Sequence, residues 1–286
     1  MENILNLWQT NIILYLILEV IFSQFYKLSA KGAKKDGALT VILQIIAAGF
    51  VVLFSPFFEF KFPSNIEVYI FLGLAIIFYA INDRLNTTVR KGLEVSTFSI
   101  LKQISTVFMI FAGLIFLKEP FILTEILGAI LIIVSNVIIF YEKGSFKFDK
   151  YVLIGLIANL CFSVAMFLDV NLSEKFNLPF YIMLTLSVPA ILIFIVERIK
   201  FSDLKEELKL ANKKYMFATA ISWGLAILCQ LRAYQLGKIT VIAPLCAVSV
   251  ILNVIAGYIF LKEKDNLLRK VIAGILIVTS VILINI

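Results

Sequence analysis

Histidine is absent from this 286-residue chain, and only 16% of its residues are charged. The first absence removes the usual general base and the commonest metal ligand, and with them most familiar active sites. The second leaves too little polar material for a water-soluble surface, which normally takes about a quarter charged residues. Cysteine is scarce as well. Cys161, Cys229 and Cys246 all lie inside apolar runs without metal-ligand spacing and read as small core residues. No Gly-rich phosphate loop, paired aspartates or Ser/His arrangement occurs, so ATP-driven transport by this chain alone and intramembrane catalysis both lack their machinery. Neither a cofactor nor a metal is expected, and the chain does not read as an enzyme.

What remains is 61% hydrophobic, with 26 Phe and a mean hydropathy of +1.00. Uniformly apolar blocks exclude a transmembrane β-barrel, whose strands alternate polar and apolar residues. Each block is long enough for the about 20 residues that a membrane-spanning helix needs. Ten are read, near 8–28, 37–56, 65–85, 95–117, 121–141, 151–172, 178–197, 214–235, 239–261 and 267–286. The opening MENILNLWQT has no basic residue before the first block, so that span is expected to be retained rather than cleaved as a signal. The longest loop, KFSDLKEELKLANKK, places Phe201, Leu204, Leu208 and Ala211 at spacings of three and four. It fits either a short amphipathic helix at the membrane surface or a solvated connector.

Lys and Arg are retained on the cytoplasmic side of a membrane protein. Most of the 26 here fall after spans 1, 3, 5, 7 and 9, among them Lys31, Lys34, Lys35, Arg90, Lys91, Lys147, Lys150, Lys213, Lys214, Arg269 and Lys270. That asymmetry predicts a multi-pass protein of the inner (plasma) membrane with those loops in the cytoplasm and both termini outside. The net charge of +7 is then a topology signal; scattered over five loops, it makes no groove for nucleic acid.

The chain also repeats itself. GLIFLKEP from Gly113 recurs as GYIFLKEK from Gly257, and AILIIVS ending at Ser135 recurs as GILIVTS ending at Ser280. The first displacement, 144, also matches Tyr79 with Trp223, Leu101 with Leu245 and Ser105 with Ser249. Gly113 and Gly257 read as close-packing positions. Two five-helix halves, 1–142 and 143–286, are implied. Because five is odd, the second half enters the membrane in the opposite sense. The predicted fold is an all-α membrane protein of ten transmembrane helices in two inverted five-helix repeats, the plan on which many secondary transporters build two access states.

Ten spans in two halves, each with a fourth span ending in Phe-Leu-Lys-Glu and a Gly-containing fifth, resemble the drug/metabolite transporter superfamily and its EamA-type members. Pro244 stands where those proteins often carry proline, while the matching position in the first half is Ile100. Glu19, Val20, Ser23, Lys27 and Ser29 are similar to the first helix of the small multidrug resistance branch. The resemblance implies a carrier with a central cavity between its halves. It also implies that Glu19 is the coupling acid, shared between proton and substrate cation. Lys102 departs from that branch, which has small residues in this part of its fourth helix.

Charges at membrane depth are costly and mark candidate sites. Glu19 lies midway along the first span, with Tyr15 and Ser23 on its face. Lys102 lies about two turns from the cytoplasmic end of the fourth; it either snorkels outward or turns inward to pair with Glu19. Asn159 occupies the position of Glu19 in the second half when Phe162 and Ser163 anchor the displacement. Tyr79 and Trp223 are candidate aromatic walls for an ammonium group. Gln24, Asn82 and Gln103, with Gln230, are candidate hydrogen-bonding groups for substrate or for neighbouring helices. Asp83, Arg84, Asp169 and Arg232 fall near block ends and read as interface or gating pairs.

These residues predict a secondary carrier for a small polar metabolite or drug, either an amino-acid-like zwitterion or an organic cation. The alternatives are a membrane scaffold that transports nothing, or a carrier of anionic sugars or nucleotide sugars. Its partners are the substrate and the lipid bilayer; a monomer is expected, with a homodimer as the other state considered. A reporter fused after Ile286 should be active only outside the cytoplasm, and cytoplasmic activity would overturn the charge-based orientation.

Overall fold

The computed structural model describes residues 7–112, 115, 122–142, 145–146, 149–169, 172–237 and 239–285. Lys147, all but Ile115 of the repeated segment 113–120, and the side chains of Asp169 and Pro244 lie outside that description. The described chain is almost entirely helical. In order come α1 (Trp8–Lys31), α2 (Asp36–Val51) with a 3₁₀ turn Val52–Phe57, α3 (Ile66–Gly92), α4 (Val95–Lys102), α5 (Ile104–Ala112) and α6 (Leu123–Phe140). They are followed by α7 (Lys150–Asp169), α8 (Leu178–Val196), α9 (Phe201–Leu210), α10 (Lys213–Leu236), α11 (Ile239–Phe260) and α12 (Leu267–Ile284). Between α6 and α7, Tyr141–Glu142 pairs with Ser145–Phe146 in a minimal antiparallel ladder.

Eight of these helices are long and apolar enough to cross a membrane. Two shorter apolar stretches, Val95–Phe111 and Leu245–Phe260, correspond to the fourth and ninth sequence blocks. Several boundaries follow local chemistry. Asn65 accepts a hydrogen bond from the Glu67 amide and Asn177 from the Phe180 amide, each capping a helix start. Asp149 does the same for α7 through the amides of Tyr151 and Val152. Lys31, Arg90 and Lys91 occupy last turns, where positive charge meets the negative end of the helix dipole.

Packing repeats the sequence symmetry. α1 lies along α10 and α3 along α7, and exchanging the two halves turns one pair into the other. α2 packs on its repeat mate α8, and α6 on its mate α12. The mates run antiparallel. Gly37 at the start of α2 faces Glu197 just past the end of α8, while Gly128 near the start of α6 faces Ile284 at the end of α12. A Cβ on Gly128 would lie 2.8 Å from the Ser280 carbonyl oxygen, and one on Gly224 would lie 3.0 Å from that of Ala47. Small residues at these contacts let backbones approach closely enough for dispersion to hold helices that lipid cannot drive together. Ile13, Ile17, Ile70, Phe71 and Ile77 turn outward as an apolar coat, while Phe22, Leu43, Ala47, Tyr181 and Trp223 fill the interior between α1, α2, α8 and α10.

The loop after α8 resolves into a helix. In α9, Phe201, Leu208 and Leu210 are exposed and Leu204 packs inward, so the segment is helical rather than an irregular connector. Glu207 is buried and accepts hydrogen bonds from the Lys34 and Lys35 amides at 2.8 and 2.6 Å, anchoring α9 ahead of α2. Hydrogen bonds from Lys35 and Lys34 hold Asp203 and Glu206, respectively, below the usual carboxylate range.

The second copy of the repeated motif has a clear mechanical role. Glu263 is buried, and its carboxylate accepts hydrogen bonds from the Val95 amide (2.7 Å), the Ser96 amide (3.0 Å) and the Ser96 hydroxyl (2.5 Å). It thus caps the N-terminus of α4 from the far end of α11. A Cβ at Gly257 would meet Glu263 Oε2 at 2.5 Å, so the glycine and the acid belong together. Glu263→Leu removes all three bonds and should cost about 2 kcal/mol or more. Gly257→Ala should lower the thermal unfolding midpoint in the same direction, whereas Gly73→Ala, at a site with open space, should not.

Candidate functional site

The interior is most polar where α1, α2, α3, α4 and α7 converge. The third apolar block stops near residue 85, but α3 continues to Gly92. Asn82, Asp83, Asn86, Thr87 and Arg90 recur at spacings of three and four and form a polar stripe on it. This corrects the placement of Asp83 at a span end. Nine residues of helix separate it from Gly92, about 13 Å at the helical rise, and it is only 6% exposed. Asp83 Oδ1 accepts from Asn82 and Oδ2 from Gln44, both at 2.8 Å. Asn86 donates in turn to Asn82 Oδ1 at 3.0 Å.

Arg90 is a second correction. Read as a cytoplasmic loop residue, it is 4% exposed and points inward. Its guanidinium lies 4.6 Å from the Tyr26 ring, 4.9 Å from Phe22 and 5.1 Å from Phe98, and donates to the Ser23 carbonyl at 3.1 Å. Three aromatic faces supply the partial negative charge that a carboxylate would otherwise provide. Tyr26 and Thr87 share a 2.6 Å hydrogen bond, and Thr87 and Thr40 another, tying α1, α3 and α2 together beside it.

Glu19 is half-buried midway along α1, and Ser23 donates to it at 3.4 Å. Tyr15 is buried one turn away in an apolar group with Cys229, Ala233 and Cys246. Gln24 donates to Asn253 Oδ1 at 3.3 Å, so it joins α1 to α11 rather than facing open space. Tyr79 meets α7 through Met166 (3.2 Å) and the Phe162 ring (6.4 Å). Trp223 stacks on Phe22 at 5.5 Å, buried in the α1–α10 core. These contacts are equivalent under exchange of the halves: Tyr79 is to Phe162 on α7 as Trp223 is to Phe22 on α1. The pairing supports the alignment that matches Asn159 with Glu19. Trp223 contributes core packing, and no contact places its ring against Glu19.

Lys102 ends α4, and Gln103 interrupts the helix before α5 begins. The break exposes carbonyls that side chains satisfy. Asn159 donates to the Leu101 carbonyl at 3.3 Å, Ser105 to that of Lys102 at 2.8 Å, and Ser163 to that of Ser105 at 3.1 Å. Non-helical backbone at membrane depth requires such partners, and broken helices commonly flank carrier sites. The Lys102 ammonium lies 5.6 Å from the Phe162 ring. Phe162 is twelve residues, about 18 Å, along α7 from the basic end, so the lysine reaches inward rather than snorkelling outward. It forms no ion pair with Glu19 or with Asp83 among the described residues.

Bonds within and between the halves gather at both ends. At the basic end, Arg84 of α3 pairs with Glu197 beyond α8 and Lys91 with Asp36. Lys27 donates to the Lys91 and Leu93 carbonyls at 3.2 and 2.6 Å, and Lys270 pairs with Glu94. A charged cleft of about 500 Å³ lies there, lined by Lys35, Asp36, Arg84, Lys91, Glu197 and Asp203 among others. At the opposite end, Asn177 donates to the carbonyls of Ser55, Phe58 and Glu59, and Arg232 lies 5.4 Å from the Phe58 ring.

Comparison with known proteins agrees with this architecture. No curated protein matches the chain in sequence. A solved crystal structure superposes with a TM-score of 0.55 at 12% identity, covering 96% of this chain and 94% of its own, which is a likeness of fold. The model of the EamA-like transporter family matches twice, over residues 10–141 and 149–286, one match for each half. With both halves accounted for, this chain is a member of the EamA-like transporter family, multi-pass membrane proteins that move small molecules.

Proposed function

We propose that the protein is a secondary carrier of a small zwitterionic or cationic metabolite, working by alternating access across the inner membrane. Ten spans form two inverted five-helix halves in this reading, with α4 and α5 together making the fourth, both termini outside and the basic loops in the cytoplasm. The observation that carries it is the group of four charged side chains turned into the bundle, Glu19, Asp83 and Lys102 at membrane depth and Arg90 nearer the basic end. Among the described residues none is ion-paired, although such charges ordinarily neutralise one another.

Arg90 is held by aromatic faces and a carbonyl, which leaves Glu19 and Lys102 as the half-buried groups free to meet a solute. An acid and a base suit a zwitterion: Glu19 takes the ammonium, and Lys102 takes the carboxylate from the broken end of α4. Glu19 would then release a proton when the ammonium arrives and take it back when the ammonium leaves. Tyr79, Asn82, Gln103 and Asn159 lie on the helices that surround this space, with Ser23 and Tyr15 on the face of Glu19. Alternation requires one set of end contacts to open while the other stays closed. Arg84–Glu197 and Glu263–Ser96 cross the halves at the basic end, and Asn177 crosses them at the other.

Glu19→Gln should abolish the pH dependence of flux in proteoliposomes, and unchanged pH-dependent flux would reject its coupling role. Lys102→Met should reduce uptake of zwitterions at least tenfold, the scale of one lost charged contact, while sparing simple organic cations. A substrate panel measured at two pH values reads both effects.

A further inference from the structure

The cluster around Asp83 holds more buried acceptors than donors. An ionised carboxylate offers about four lone-pair sites, and this one receives two neutral amide hydrogens, from Asn82 and Gln44. It has no ion-pair partner among the described residues. Gln44 is fully buried, and its Oε1 receives no hydrogen bond; neither does Asn86 Oδ1. Asp83 and Asn86 are one turn apart on α3, and Gln44 reaches Asp83 from α2. Two helices therefore bring together a carboxylate, the buried amide bonded to it and a second amide one turn along α3, and the oxygens of both amides lack a hydrogen bond.

Such a set favours a ligand that is positive and requires no acceptor in return. A proton on Asp83 would neutralise the acid, but receiving it on a rotated Gln44 amide would leave the Gln44 NH₂ group without an acceptor and Asn86 Oδ1 still without a donor. A substrate ammonium carries a bulky body, and Gln44 is sealed from solvent. A divalent ion normally draws on several carboxylates, and the described residues contain no group of three His, Cys, Asp or Glu side chains able to hold one. The charged and titratable groups on the surrounding elements are Arg84 and Arg90 on α3, Asp36 on α2, Lys102 on α4, and Tyr26 and Glu19 on α1. Arg84 is taken by Asp36 and Glu197, and no cation forms an ion pair with Asp83 among the described residues.

We infer that Asp83, Gln44 and Asn86 form a binding site for a dehydrated monovalent metal ion, Na⁺. Binding there joins α2 to α3. Only its use as a coupling ion rests on the carrier reading.

The test is thermal unfolding of the purified full-length protein in NaCl, KCl or choline chloride at equal ionic strength and fixed pH. The wild-type midpoint should rise saturably with Na⁺, as expected for a ligand of the folded state, and should not rise with choline. Asp83→Asn should remove the response, and Asn86→Ala should weaken Na⁺ about tenfold, the scale of one lost polar contact. Glu19→Gln should leave it intact. Should Asp83→Asn not fold, Asn86→Ala and a tightening response in Asn86→Asp decide the matter. A wild-type midpoint that follows pH but not Na⁺ overturns the site, as does a full response in Asp83→Asn or its loss in Glu19→Gln. A Na⁺ response without transport of any solute would leave the ion site standing and reject the carrier reading.

Discussion

Water is missing from the bilayer core, and the structure is organised around that constraint. A backbone or side-chain polar group there must find its partner within the protein. Helices solve the problem for the backbone except at their ends, and the ends are where this chain uses charge. Glu263 takes the free amides of α4, Glu207 those just before α2, and Lys27 the last carbonyls of α3. Each partner comes from an element distant in sequence, so satisfying a helix end also fixes how helices are arranged. Charged residues near the ends of the spans thus also serve as structural bolts.

The same constraint gives meaning to the break between α4 and α5. Interrupting a helix at membrane depth frees carbonyls, and a sequence that tolerates it must supply donors nearby. Asn159 and Ser163 do so from α7, one turn apart, while Ser105 does so locally. Lys102 ends the first piece, which allows its ammonium to leave the helix axis and extend toward Phe162. A continuous helix would hold that side chain against its own preceding turn.

Much of the fold is legible in the sequence because hydrophobic length and repetition are local signals. The displacement of 144 predicts the equivalence of Tyr79 and Trp223, and their matching contacts with Phe162 and Phe22 agree with it. Hydropathy misplaces Asp83 and Arg90 because it ends a span where polar residues begin, whereas the helix continues to Gly92 with its polar side turned inward. The spacing of Asn82, Asp83, Asn86, Thr87 and Arg90 carries that signal, but only as a stripe on a helix already assumed to continue. The partners of Glu263 and Asn159 are not readable at all. They depend on which helices meet, and neither periodicity nor composition encodes that choice.

The two halves share a backbone plan but not a chemistry. At the displacement of 144, Asp83, Arg90 and Lys102 correspond to Ile227, Tyr234 and Cys246, and the alignment on Phe162 matches Glu19 with Asn159. Among the described residues, these four inward charges all belong to the first half. The positions equivalent to Arg90 and Lys102 lie in or against the apolar group around Tyr15 and Cys229. Placing the charges on one half limits desolvation: a duplicated set would bury twice as many ions, and each buried ion costs on the order of several kcal/mol. The repeat supplies the packing plan, and its divergence gathers the deep charges on one half.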